Sequence, residues 1–181
     1  MQEIETLSSR IVYENRWMRV REDRIKRQNG TQGIYGVIEK PDFAVIVPIE
    51  NDSVYLVEQY RYPVRGRYWE FPQGSWEGAK IEPIDLAKAE LKEETGLTAD
   101  DVTQIGHLFE AYGHSNQGYC VFIARGLHQG KNELDEEEAG LIARRFRIKE
   151  FVEMIRNNRI KDSTTIAVYG LLMAMKVKEF A

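Results

Sequence analysis

Glu90, Glu93 and Glu94 crowd the last two turns of a predicted helix, and carboxylates so placed can hold a hard cation. Pro83 suits the first helical turn, where a missing N–H costs nothing, and Gly96 suits the left-handed residue just past the end. At about 100° per residue, Ile84, Ala87 and Leu91 share the stripe expected to face a core, while Asp85, Lys88 and Lys92 fall on the solvated side. Helical neighbours sit three and four residues apart, so Glu90 meets both Glu93 and Glu94. Neither lysine falls on a neighbouring position of any of the three. The cluster also lies at the negative end of the helix dipole, where each carboxylate costs roughly 0.3–1 kcal/mol. Two readings compete, a solvated acidic face and a divalent-metal site. Like-charge spacing, the dipole and the adjacent apolar stripe oppose the first. A cation reverses all three penalties, and Mg²⁺ typically also keeps waters and substrate phosphates.

The elements that must position this helix are legible as a pattern. The chain has 181 residues, 43% hydrophobic and 30% charged, which suits one ordinary globular core with a small appendage. A net charge of -4 gives no general pull toward nucleic acid or an anionic membrane. No stretch is apolar enough for a signal core or a bilayer span, so a cytoplasmic protein is the default expectation. The single cysteine, Cys120, lies in the apolar run "GYCVFIA" and reads as a buried, inert thiol.

Residues 1–40 read as a β-rich arm, turning at Asn29-Gly30, and residues 41–181 as the main domain. Phe43–Ile49 is nearly all apolar, as a strand covered on both faces should be, and Val54–Tyr60 returns beside it. "QIGHLFEAY", "GYCVFIARGL" and "LIARRFRI" read as further strands, with amphipathic helices over Ile148–Asn157 and Ser163–Lys178. Strands wrapped between a middle helix and C-terminal helices predict an α/β (α+β) fold with a mixed sheet packed between helices.

The stretch "AELKEETGL" resembles the helix half of the Nudix hydrolase signature, with Glu90, Leu91, Glu93, Glu94, Gly96 and Leu97 in register and Gly74 as the leading glycine. "VEQYRYPV", "YWEFPQG", "DEEEAG" and "RIKDSTTIAVYGLL" resemble the ADP-ribose pyrophosphatase branch. The chain departs from the signature at Ala89, where the family has arginine, and at Ile81, where it has glutamate; Gly74 also stands one residue farther from the helix. That arginine and glutamate usually brace the loop, and losing both leaves no stranded charge.

The resemblance implies a Nudix-type α/β/α sandwich, an arm serving as a homodimerisation element, and Mg²⁺ (or Mn²⁺) as cofactor. It implies Glu90 and Glu94 as principal metal ligands, with Glu93 coordinating or assisting in catalysis. It further implies a general base on an acidic loop after the box. In "NELDEEEAG" the candidates are Glu136 as base and Glu138 as an additional ligand, against the plain reading of a solvated charge run. A diphosphate also needs a protein cation, and Arg61 leads, with Arg65 and Arg67 behind it. Trp17, Tyr60, Tyr62, Trp69 and Trp76 are available to stack on a base. The expected substrate is a small nucleoside diphosphate derivative, ADP-ribose or a related sugar. GDP-mannose, a dinucleoside polyphosphate, or a non-catalytic nucleotide-sugar-binding module are the alternatives.

Overall fold

The computed structural model describes residues 3–75, 81–131 and 140–180. Three antiparallel strands form the arm: β1 (Ile4–Glu14), β2 (Arg19–Arg27) and β3 (Gln32–Glu39). The hairpin between β2 and β3 turns at the expected place. Gly30 has φ +83°, and Asn29 Oδ1 accepts from the Thr31 amide at 3.0 Å. The end of β3 is tied to the main domain, because the Ile38 amide donates to His114 O and its carbonyl accepts from the Asn116 amide.

The main sheet has seven strands, in the order β10 (Ile142–Arg147), β5 (Ser53–Arg61), β4 (Phe43–Glu50), β9 (Gly118–Gln129) and β8 (Leu97–Phe109). Short β6 (Gly66–Glu70) pairs with β5, and β7 (Gln73–Gly74) pairs with β4. β4 and β9 run parallel and the other pairs antiparallel, so the sheet is mixed as expected.

Alternation along the central strands divides the core into two layers. Ala44 and Ile46 of β4 join Cys120, Phe122 and Ala124 of β9 under α1 (Pro83–Thr95). Val45, Val47 and Ile49, with Tyr119, Val121 and Ile123, face α2 (Ile148–Arg156) and α3 (Ser163–Ala174). A strand buried on both sides has no polar face to show, which is why Phe43–Ile49 reads as continuous apolar sequence.

Two sequence expectations shift. On α1 the buried apolar residues are Leu86, Ala87 and Leu91, whereas Ile84, in the first turn, is 37% exposed. The C-terminal helix stops at Ala174. Lys176 then turns left-handed (φ 54°) and the Val177 amide closes back on Leu172 O. A short 3₁₀ turn, Lys178–Phe180, follows and buries Phe180 against Phe151 and Tyr169.

Candidate active site

α1 begins at Pro83 and ends on Gly96, whose φ of 71° supplies the left-handed stop. Its apolar side is held by Leu86 and Leu91, each contributing roughly 1.5–3 kcal/mol on burial. The same side carries Glu90, 7% exposed, and Glu94, 1% exposed, while Glu93 is half-buried. Burying an ionised carboxylate costs several kcal/mol unless charge or hydrogen bonds compensate it. That cost exceeds the dipole penalty and is comparable to what each leucine contributes, and a cation beside the two carboxylates would lower it.

The short strand β7 brings Gly74 to these carboxylates. Its register against β4 sets Gly74 opposite Ala44 and Gln73 opposite Val45. The Gln73 amide donates to Glu94 Oε2 at 3.0 Å. A Cβ built on Gly74 would lie 2.5 Å from the Glu90 carboxylate carbon, so a larger residue there would have to push that carboxylate aside. The Gln73 side-chain oxygen is buried with no hydrogen-bond partner among the described residues.

Among the described residues no group of three or more His, Cys, Asp or Glu side chains is gathered closely enough to hold an ion by itself. Two buried carboxylates beside a glycine backbone still fit a hard cation that takes its remaining ligands from water and substrate. Glu136, Glu138 and Trp76 lie outside the described residues.

The signature's missing loop brace has an apolar counterpart. Ile81 packs against the α1 cluster that contains Leu86 and Leu91, and Ala89 is half-buried on the helix. The position that would carry a charged brace therefore contributes to the core instead.

Beside Gly74 opens a cleft in two contiguous lobes, about 260 and 540 Å³, sharing Lys40, Arg61, Glu110 and Asp162 as walls. Phe43, Gln73 and Gly74 line the smaller lobe, and Tyr68, Glu70 and Lys161 the larger. Lys161 Nζ stands 5.5 Å over the Tyr68 ring. Arg61 is paired with Glu70 through both Nε and Nη2, and Glu70 is 2% exposed. Burial pushes the Glu70 carboxyl above its ordinary value, against the pull of Arg61.

Of the cationic candidates only Arg61 lines this cleft. Arg65 sits exposed and left-handed (φ 49°) after the Tyr62–Val64 3₁₀ turn. Arg67 is held by Glu58 and the Gly140 carbonyl. Trp69 packs edge-on against Phe146 beside the core, whereas Trp17 is 48% exposed with the Arg16 guanidinium 4.2 Å above its ring. Cys120 is buried, and its thiol is pushed up by burial and by Asp42. His107 pairs with Asp42 and His128 with Asp100.

Sequence reasoning missed Glu70, Asp162 and Thr165. The Phe71 amide donates to Thr165 Oγ1 at 2.9 Å, and Asp162 caps α3 by accepting from the Thr165 amide at 2.8 Å. Asp followed by Ser-Thr-Thr is a readable cap, and a glutamate inside the apolar run "YWEFP" signals a buried charge.

Comparison with known proteins agrees with this geometry. Residues 4–38 match the nucleoside diphosphate sugar hydrolase N-terminal domain, and residues 40–167 match the NUDIX domain. An ADP-ribose pyrophosphatase of Mycobacterium tuberculosis (strain ATCC 25618 / H37Rv) is 30% identical over 94% of this chain and 82% of its own length. A methanol dehydrogenase activator of Bacillus methanolicus is 28% identical, covering 97% of this chain and 96% of its own. An ADP-ribose pyrophosphatase of Bacillus subtilis (strain 168) is 25% identical over 90% of this chain and 89% of its own. The crystal structure of an ADP compounds hydrolase superposes with a TM-score of 0.84 at 20% identity, covering 97% of this chain and 95% of that one, which bears on the fold. With its glutamate-bearing helix, its abutting glycine and a family match over most of its length, the chain belongs to the Nudix hydrolase family.

Proposed function

We propose that the protein is a Mg²⁺-dependent pyrophosphatase that cleaves the diphosphate of ADP-ribose or a related nucleoside diphosphate sugar. The observation that carries this reading is the juxtaposition of the buried Glu90 and Glu94 with a cleft that presents Arg61, Lys40 and Lys161. Glu90 and Glu94, with Glu93 beside them and Glu138 from the acidic loop, would hold the cation. A bound divalent ion supplies charge neutralisation at the phosphoryl oxygens and lowers the pKa of water.

This chain's own residues supply the rest. The three cations receive the diphosphate, and Arg61 presents a planar fork suited to phosphate oxygens. Water forms a new P–O bond while the bridging P–O bond breaks, yielding a nucleoside monophosphate and a sugar phosphate. Glu136 takes the proton from that water. Trp17, Tyr60 and Tyr62 are the exposed aromatic candidates to meet a base.

The arm, residues 1–40, serves as a homodimerisation element in this reading, with residues 41–181 forming the hydrolase domain. Every residue of β1 is exposed, including Ile4, Leu7, Ile11, Val12 and Tyr13, which a second copy would cover. No helix among the described residues is long and apolar enough to cross a membrane, and a cytoplasmic setting accords with one buried thiol.

The test is turnover of a panel comprising ADP-ribose, GDP-mannose and dinucleoside polyphosphates with Mg²⁺ or Mn²⁺. Release of AMP and ribose 5-phosphate from ADP-ribose is expected to dominate. Measurable binding with no cleavage of any compound would instead identify a nucleotide-sugar-binding module.

A further inference from the structure

Glu70 and Arg61 occupy one face of the β5–β6 ladder. Glu70 stands opposite Val57 and Arg61 opposite Gly66, and the two-residue period puts Val57 with Arg61, and Gly66 with Glu70, on the same side. The Arg61 side chain is 40% exposed and walls the cleft, whereas Glu70 lies beneath it at 2%. Arg61 donates from Nε to Glu70 Oε2 at 3.3 Å and from Nη2 to Oε1.

The carboxylate is itself held. The Gln73 side chain lies near enough to favour the charged form of Glu70 and reaches Asp162 Oδ2 at 3.4 Å, and Asp162 caps α3. The buried carboxylate, with Gln73 beside it, grips one edge of one guanidinium. Stability does not account for this arrangement. The β5–β6 ladder is already closed by backbone hydrogen bonds, and a buried ion pair is often no better than apolar side chains of equal volume. Nor does it raise the attraction for an anion, because Glu70 cancels part of the charge of Arg61.

What the contact provides is direction. A mobile arginine loses side-chain freedom on binding a phosphate, and an arginine already clamped by its Nε–Nη2 edge has lost it beforehand. Among the described residues Arg61 Nη1 makes no hydrogen bond, and the Arg61 side chain walls the cleft. We propose that Glu70 is a positioning residue for the substrate diphosphate, holding Arg61 so that its outer guanidinium N–H groups meet the phosphate oxygens. This rests on the proposed function above and names how its phosphate subsite is built.

The experiment compares full-length wild type, Glu70→Gln, Arg61→Ala and the double variant by steady-state turnover of ADP-ribose, and by metal-free calorimetry with ADP. Glu70→Gln should raise KM and the Kd for ADP by about tenfold, with a smaller change in kcat. In the Arg61→Ala background it should change KM less than about twofold, because no fork remains to orient. Should Glu70→Gln fail to fold, Arg61→Lys reads the same relationship. It keeps a charge beside Glu70 but loses the fork, and its KM should match that of Arg61→Ala. Unchanged KM in Glu70→Gln, additive effects in the double variant, or wild-type KM in Arg61→Lys overturns the proposal alone. A wild type that cleaves no member of the panel overturns the functional reading together with it.

Discussion

The Cα of Gly74 lies against the carboxylate of Glu90 so closely that a methyl group there would sit 2.5 Å from Glu90 Cδ. Glu90 is rooted in the buried side of α1 and Gly74 in a two-residue strand paired with β4, so neither can retreat without cost. Gly74→Ala should therefore displace the Glu90 carboxylate while leaving the core intact. A displacement near 1 Å at a catalytic group costs about 10²-fold in turnover. Circular dichroism should stay as in wild type while kcat falls by that order, and a wild-type kcat would refute the contact's importance.

The two buried carboxylates also predict a cation-dependent stability. A ligand that binds only the folded state stabilises it by about 2.7 kcal/mol at a hundred times its Kd. Added Mg²⁺ should raise the melting temperature of the wild type and not that of Glu94→Gln, whose side chain, only 1% exposed, loses its charge. A chelator should return the wild type to the lower value. Equal shifts in both proteins would remove Glu94 from the metal site.

Much of this site was legible because its determinants are local. Pro83, Gly96 and the three glutamates fix the helix, its end and its acidic side within fourteen residues. β4 was legible because burial on both faces leaves an unbroken apolar run. β1 was not. Its alternation is interrupted by irregularities near Leu7 and Val12, and no face of it is buried in the chain. Ile84 and Leu86 are both apolar near the helix start, and only the sheet beneath decides which is covered. The Phe71–Thr165 and Gln73–Asp162 contacts span roughly ninety residues of sequence, beyond what spacing alone can pair.

The acidic loop supplies the most direct test of the chemistry. A general base is worth about 10²–10⁴-fold. Glu136→Gln should lower kcat by that factor with KM near wild type, and Glu138→Gln should raise the Mg²⁺ concentration needed for half-maximal rate. Near-normal kinetics in both variants would exclude this loop from proton transfer and from the metal.

Exposure along β1 makes the oligomeric state measurable. Ile4, Leu7, Ile11, Val12 and Tyr13 are each at least 40% exposed on one strand, an apolar surface that a monomer would leave in water. Light scattering at micromolar concentration should return twice the chain mass, and Ile11→Glu with Tyr13→Glu should halve it. A wild-type monomer would refute the dimer.

The C-terminal turn has a charge latch whose pH dependence follows from its sign. Arg125 Nε and Nη2 donate to the two oxygens of Glu179 at 3.0 and 3.1 Å, beside the buried Phe180. These hydrogen bonds hold the Glu179 carboxyl below its ordinary value of 4.5. A carboxyl depressed in the folded state contributes stability that is fully present above the unfolded value and lost as pH falls through the folded one. The pair is partly solvated, so its worth at neutral pH is less than about 1 kcal/mol. Glu179→Gln should accordingly melt slightly below wild type at pH 7. The gap should narrow as pH drops below about 4.5, where wild-type Glu179 takes up the proton that breaks the pair. Melting curves from pH 3 to pH 7 check this, and a gap constant across that range would show that Arg125 and Glu179 contribute nothing as an ion pair.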